Sequence, residues 1–100
     1  MSTIYKMDDD EVGRIESNGF VYDQGSEYVG KVVDNGKVYD KADEYVGYVD
    51  DGGYVYDSQE ELLGVVGDDG IVRSQSEEEM AKVQSPHIQY AGAAYLLLFR

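Results

Sequence analysis

The chain has 100 residues, room for one domain and little more. Its 21 Asp and Glu against 8 Lys and Arg leave a formal net charge of −13, which argues against phosphate-neutralising nucleic-acid binding and against docking on an anionic membrane. The absence of cysteine excludes disulfides, thiolate metal sites and cysteine nucleophiles.

Met1-Ser2-Thr3 opens no basic-then-apolar leader, and the longest mostly apolar stretch, Tyr90 to Phe99, is too short to span a bilayer. A cytoplasmic location is therefore expected. From there the chain counts in steps of 17: Gly13, Gly30, Gly47 and Gly64 keep that interval, and so do Gly19, Gly36, Gly53 and Gly70. Val21-Tyr22-Asp23, Val38-Tyr39-Asp40 and Val55-Tyr56-Asp57 share the step, which reaches back to Ile4-Tyr5-Lys6 and forward to Val72-Arg73-Ser74.

Each unit predicts one hairpin. Asn18-Gly19, Asn35-Gly36, Gly52-Gly53 and Asp69-Gly70 are dipeptides suited to two-residue type I′ turns between Val- and Tyr-rich runs. Short polar links, Gln24-Gly25-Ser26, Lys41-Ala42-Asp43 and Ser58-Gln59-Glu60, join one hairpin to the next. The predicted fold is mainly β: an antiparallel meander sheet of 8–9 short strands over residues 1–75, with a helical segment over 76–100 packing on it in the same domain.

A two-residue turn sets Val32 opposite Tyr39 and pairs Lys31 with Asp40 and Arg14 with Asp23, while the links set Val21 opposite Val29. Side-chain alternation then predicts one face with Tyr22, Tyr28, Tyr39, Tyr45 and Tyr56 beside Ile15, Val32, Val49, Val66 and the strand glycines. The other face carries Val12, Val21, Val29, Val38, Val46 and Val55. Phe20 and Tyr54 fall opposite Gly30 and Gly64, where a ring can cover the bare backbone.

From Ser76 the pattern changes. Ser76-Glu77-Glu78-Glu79 has capping-box spacing, with Met80 and Val83 as a short apolar edge. Ser85-Pro86 suits a second helix start, after which Ile88, Ala91, Tyr95 and Leu98 recur at helical spacing. A strand over Ala94–Phe99 fits the same residues, because so short a run has no decisive period. Either way the segment is expected to form a second layer on one sheet face, or to join an interface through Leu96–Phe99. The other face and the two sheet edges stay open, which predicts self-association or ligand binding.

No catalytic constellation emerges. His87 is the single histidine and lies near Ser85 at the expected helix start, and no nucleophile elbow or P-loop is present. Asp50-Asp51-Gly52 and Asp68-Asp69-Gly70 present hard oxygen ligands without calcium-loop spacing, so turn chemistry accounts for them and neither metal nor cofactor is expected. The tyrosines are more informative, since ten residues in 100 are Tyr and such side chains give large contact area at low entropy cost. Tyr22, Tyr28, Tyr39, Tyr45 and Tyr56 are the candidate binding surface. The expected function is a non-enzymatic protein–protein interaction or structural module that self-associates as a homo-oligomer through an exposed sheet face, or else binds a protein partner. A carbohydrate- or peptide-binding module using the same row is the alternative.

The Val-Tyr-Asp … Val-Gly-x-Val … Asn-Gly cycle resembles the short hairpin repeats of uncharacterised bacterial and fungal proteins that read G-x-V-x-D…V-G-x-V. The resemblance spans residues 4–74 and implies a hairpin-repeat fold with no activity to carry over. More distantly the cycle is similar to cell-wall choline- and glucan-binding repeats, which rely on paired tryptophans where this chain has none.

Overall fold

The computed structural model describes residues 2–84 and 86–99. Ten strands follow one another: β1 (Ser2–Lys6), β2 (Glu11–Ile15), β3 (Phe20–Asp23), β4 (Tyr28–Val32), β5 (Lys37–Asp40), β6 (Tyr45–Val49), β7 (Tyr54–Asp57), β8 (Leu62–Val66), β9 (Ile71–Ser74) and β10 (Glu79–Val83). One helix, α1 (Ile88–Leu98), ends the chain. The meander is antiparallel as expected, but β1 pairs with β10 through Ile4↔Val83 and Lys6↔Ala81, so it closes into a barrel with no free edge. The expected open sheet of 8–9 strands is thereby corrected to a closed ten-stranded barrel.

The tenth strand lies where a capping box was expected. Glu79-Met80-Ala81-Lys82-Val83 continues the 17-residue step from Leu62-Leu63-Gly64-Val65-Val66, with Ala81 in the glycine position. The barrel therefore extends past residue 75, and Met80 and Val83 belong to a strand. Ser85, half of the expected helix start, lies outside the described residues. The helix N-cap is His87, whose backbone N–H donates to Ser2 Oγ at 3.0 Å.

Turn chemistry sets the register. Gly36 N–H donates to Val33 O and Val33 N–H to Lys37 O, and φ is positive at Gly36 but not at Asn35. This is a type I turn followed by a left-handed glycine, in place of the expected type I′ turn. The three-residue loop moves every pair by one: Val32 faces Val38, Lys31 faces Tyr39 and Gly30 faces Asp40. At the links Val21 faces Gly30 and Tyr22 faces Tyr28, leaving Val29 bulged between them. A one-residue shift exchanges faces. The expected Arg14–Asp23 and Lys31–Asp40 pairs are thus replaced by Arg14–Tyr22 and Lys31–Tyr39, and Phe20 and Tyr54 face Lys31 and Val65 rather than glycines.

The inner wall consists of three five-membered rings at the 17-residue step: Ile15, Val32, Val49, Val66 and Val83; Ile4, Val21, Val38, Val55 and Val72; and Gly13, Gly30, Gly47, Gly64 and Ala81. The tyrosines, expected on the same face as the first and third rings, point outward instead. Helix α1 fills the lumen with a complementary taper. Ala91, Gly92, Ala93 and Ala94 are small, and Gly92 lies so close to Val66 that a Cβ there would stand 2.3 Å from Val66 Cγ2. Toward its C-terminus the side chains enlarge where the wall loses them. Leu96, Leu97, Leu98 and Phe99 approach Gly64, Gly47, Gly30 and Gly13 in turn. The strand glycines are thus explained by the helix, whose bulk their missing side chains admit. Tyr90 donates its hydroxyl to Asp34 O, and Gln89 Nε2 donates to Asp51 O at 3.1 Å, tying the N-terminal end of α1 to two hairpin turns.

Candidate functional site

With α1 in the lumen, the surface consists of the outer wall and the barrel mouths, and clefts lie at the mouth beside His87 and Tyr90. The repeated aspartates are structural: Asp40 Oδ1 accepts the Ala42 and Glu44 N–H groups at 2.8 and 3.0 Å, and Asp23 and Asp57 act alike in their links. Asp50 and Asp69, each weighed above as a cation ligand, accept backbone N–H groups within their turns. The Ile71 N–H bond, then the Arg73 guanidinium, hold the Asp69 carboxyl below its usual range.

The candidate tyrosines form a row around half the barrel, one on each strand from β3 to β7. Tyr22 and Tyr28 meet edge to face at 6.0 Å between ring centroids, and Tyr39 and Tyr45 at 5.9 Å. Arg14 lies over the Tyr22 ring at 4.9 Å and Lys31 over Tyr39 at 5.7 Å. Tyr56 meets Tyr48 instead, in a stack with centroids 5.1 Å apart and planes 23° from parallel.

The row does not include everything that the wall presents. Tyr48, Tyr54, Phe20 and Leu62 also face outward, and Tyr54 is 46% exposed, Tyr45 and Phe20 39%, and Leu62 36%. Tyr54 and Leu62 border a shallow groove of about 380 Å³ that runs past Val65 to Arg73 and Glu77. The signal for Tyr48 was present in the sequence, because it stands 17 residues after Lys31 in the outward position. Burial of the rings, followed by the nearby Glu60 carboxylate, raises the hydroxyl pKa values of both Tyr45 and Tyr48. Tyr39–Tyr45 and Tyr48–Tyr56 are two ring pairs on β5–β7, with Leu62 opposite Tyr56 and Glu60 nearby, and Phe20, Tyr28 and Tyr22 form a three-ring cluster on β3 and β4.

At the helix start the His87 backbone N–H donates to Ser2 Oγ, and Ser85 lies outside the described residues. Among the described residues no three His, Asp or Glu side chains converge as a metal site. Helix α1 is too short to cross a membrane.

Residues 1–97 match the family model described as the 5-fold beta-flower protein. Comparisons with curated proteins and with solved structures give no match.

Proposed function

The chain belongs to the 5-fold beta-flower protein family, and from that premise we propose that it is a non-enzymatic protein-interaction module that binds its partner on the outer tyrosine wall. The observation that carries this reading is the set of outward rings Tyr39, Tyr45, Tyr48 and Tyr56, with Leu62, on a barrel whose interior is already occupied. Tyrosine is enriched at protein interfaces because one rigid ring supplies apolar area and a polar tip together. The groove beside Tyr54 and Leu62 offers an extended peptide segment a place to continue.

Self-association would use the same wall, but two copies that each carry −13 repel. Barrel closure also removes the free edges that favoured it. The test is an amide NMR titration with a mixed peptide pool and, separately, with soluble glycans, after light scattering from micromolar to near-millimolar protein. The reading expects one monomeric mass, with peptide-induced shifts on β5–β8 and none from glycans. Shifts confined to the hairpin-turn mouth, or a response to glycans alone, would refute it. A mass that doubles with concentration, and reverts in Tyr45→Ser, would make a second copy the partner.

A further inference from the structure

Each repeat places one outward cross-strand pair at the same level of the wall. The pairs are Arg14–Tyr22, Lys31–Tyr39, Tyr48–Tyr56, Val65–Arg73 and Tyr5–Lys82. Four contain a cation, and the third has tyrosine at both positions.

The surroundings of the cations repeat as well. Each link between hairpins holds one residue in the left-handed region, namely Asp9, Ser26, Asp43, Glu60 and Glu77, with φ between 65° and 74°. In three repeats that residue receives the cation of the neighbouring pair. Arg14 Nη1 donates to Ser26 Oγ at 3.3 Å, Lys31 Nζ pairs with Asp43 Oδ1 at 3.3 Å, and Lys82 Nζ pairs with Asp9. By the same step Glu60 is the acceptor for position 48, where a tyrosine stands. Glu60 forms no ion pair among the described residues.

We propose that the Tyr48–Tyr56 stack and Glu60 receive an arginine or lysine side chain from a basic segment of the partner protein. This deepens the interaction-module reading and rests on it. The chain thus takes from its partner the cation that its own Arg14–Tyr22-type pair supplies in four repeats, while Lys37 stands opposite Tyr48 on the β5 side. Two nearly parallel rings 5.1 Å apart present the π surface that attracts a guanidinium or ammonium group, and Glu60 adds the carboxylate. Tyr45, 39% exposed and also within reach of the Glu60 charge, extends the aromatic lining. A net charge of −13 steers a basic segment toward the barrel, and the Tyr48–Tyr56–Glu60 constellation selects where it docks.

The experiment is fluorescence anisotropy with a labelled Gly-Arg-Gly-Arg-Gly peptide and with its citrulline counterpart, a neutral isostere. Wild type should bind the arginine peptide in a saturable, salt-sensitive way and the citrulline peptide at least about fivefold more weakly. Tyr48→Lys places a cation where Arg14, Lys31 and Lys82 stand in three other repeats and should weaken arginine-peptide binding by about fivefold or more. Ser17→Lys makes the same charge change in an exposed turn and should stay within about twofold of wild type. Tyr48→Phe keeps the ring and should retain binding, which controls for a Tyr48→Lys variant that folds poorly. Equal losses in Tyr48→Lys and Ser17→Lys, or equal binding of the citrulline peptide, would overturn the proposal. If peptides free of both arginine and lysine shift the β5–β8 amides as strongly as the arginine peptide does, the cation site fails and the interaction module stands. If no peptide moves them, both fail.

Discussion

Replacing Leu96 by Ala tests the fit between helix and barrel. Leu96 is 3% exposed, and its Cδ1 lies 3.2 Å from where a side chain on Gly64 would begin. Truncation removes buried methyl and methylene groups and leaves a cavity, a combination that costs about 2–5 kcal/mol for Leu→Ala. The site is poorly able to collapse. Gly64 has no side chain to move inward, and its backbone is fixed in the ladder with Ser74 on β9. We therefore expect about 3 kcal/mol, a large fraction of the ~5–15 kcal/mol typical of a domain. For a chain of this length that lowers Tm by about 12–24 °C. Urea unfolding followed by circular dichroism should show a lower midpoint at unchanged slope. Leu62→Ala, on the outer wall at 36% exposure, is the control and should cost below about 1 kcal/mol. A Leu96→Ala loss of less than about 1 kcal/mol would refute the packing argument.

The link turns give a prediction of opposite sign. Glu77 is held at φ 70°, where a Cβ is strained, so Glu77→Gly should be neutral or stabilising by up to about 1 kcal/mol in the same urea assay. Asp40→Ala removes the acceptor for the Ala42 and Glu44 N–H groups in an exposed turn and should lower stability by about 0.5–2 kcal/mol in thermal melts. Tyr45 and Tyr48 have raised pKa values from burial and then Glu60, so the folded state favours their neutral hydroxyls. Their contribution to stability is present below the unfolded value near ~10 and is lost as pH rises through the folded one. A 295 nm titration should show these two ionising above the ordinary tyrosine value near ~10, and Glu60→Gln should bring both earlier. Asp69 behaves in the reverse sense. Its lowered pKa gives stability present above the unfolded value near ~3.9 and lost as pH falls through the folded value, which Asp69→Asn should remove from an acid-unfolding curve.

Much of the fold is legible because one unit is written repeatedly. The step from Gly13 to Gly64 and from Gly19 to Gly70 identifies the hairpins and their turns. What fails is the loop length, since Asn35-Gly36 suits both a two-residue turn and the type I turn with a left-handed glycine that forms here. That one residue separates Tyr39 from Val32 and sends them to opposite sides of the wall. Closure is harder to read. β10 carries Ala81 and Met80 where earlier copies have glycine and valine or leucine, and Ser76–Glu79 imitates a helix start. The pairing of Ile4 with Val83 joins the two ends of the repeat array, which no local pattern announces. At the candidate site, Tyr22, Tyr28, Tyr39, Tyr45 and Tyr56 follow from the period and do lie outside, on adjacent strands. Tyr48 becomes meaningful once Arg14, Lys31 and Lys82 are known to occupy its equivalent places on the wall.

The assignment of function to the outer wall depends on the helix occupying the lumen, and NMR observes that directly. Nuclear Overhauser contacts should join the Leu96, Leu97 and Leu98 methyls to the Hα protons of Gly64, Gly47 and Gly30, and the Phe99 ring to Gly13. Observing all four would place successive residues of one chain end against four walls of the barrel, which only a helix inside it satisfies. Their absence, with the cross-strand contacts of β1 and β10 intact, would mean an open lumen and would move the search for a ligand from the tyrosine wall to the interior.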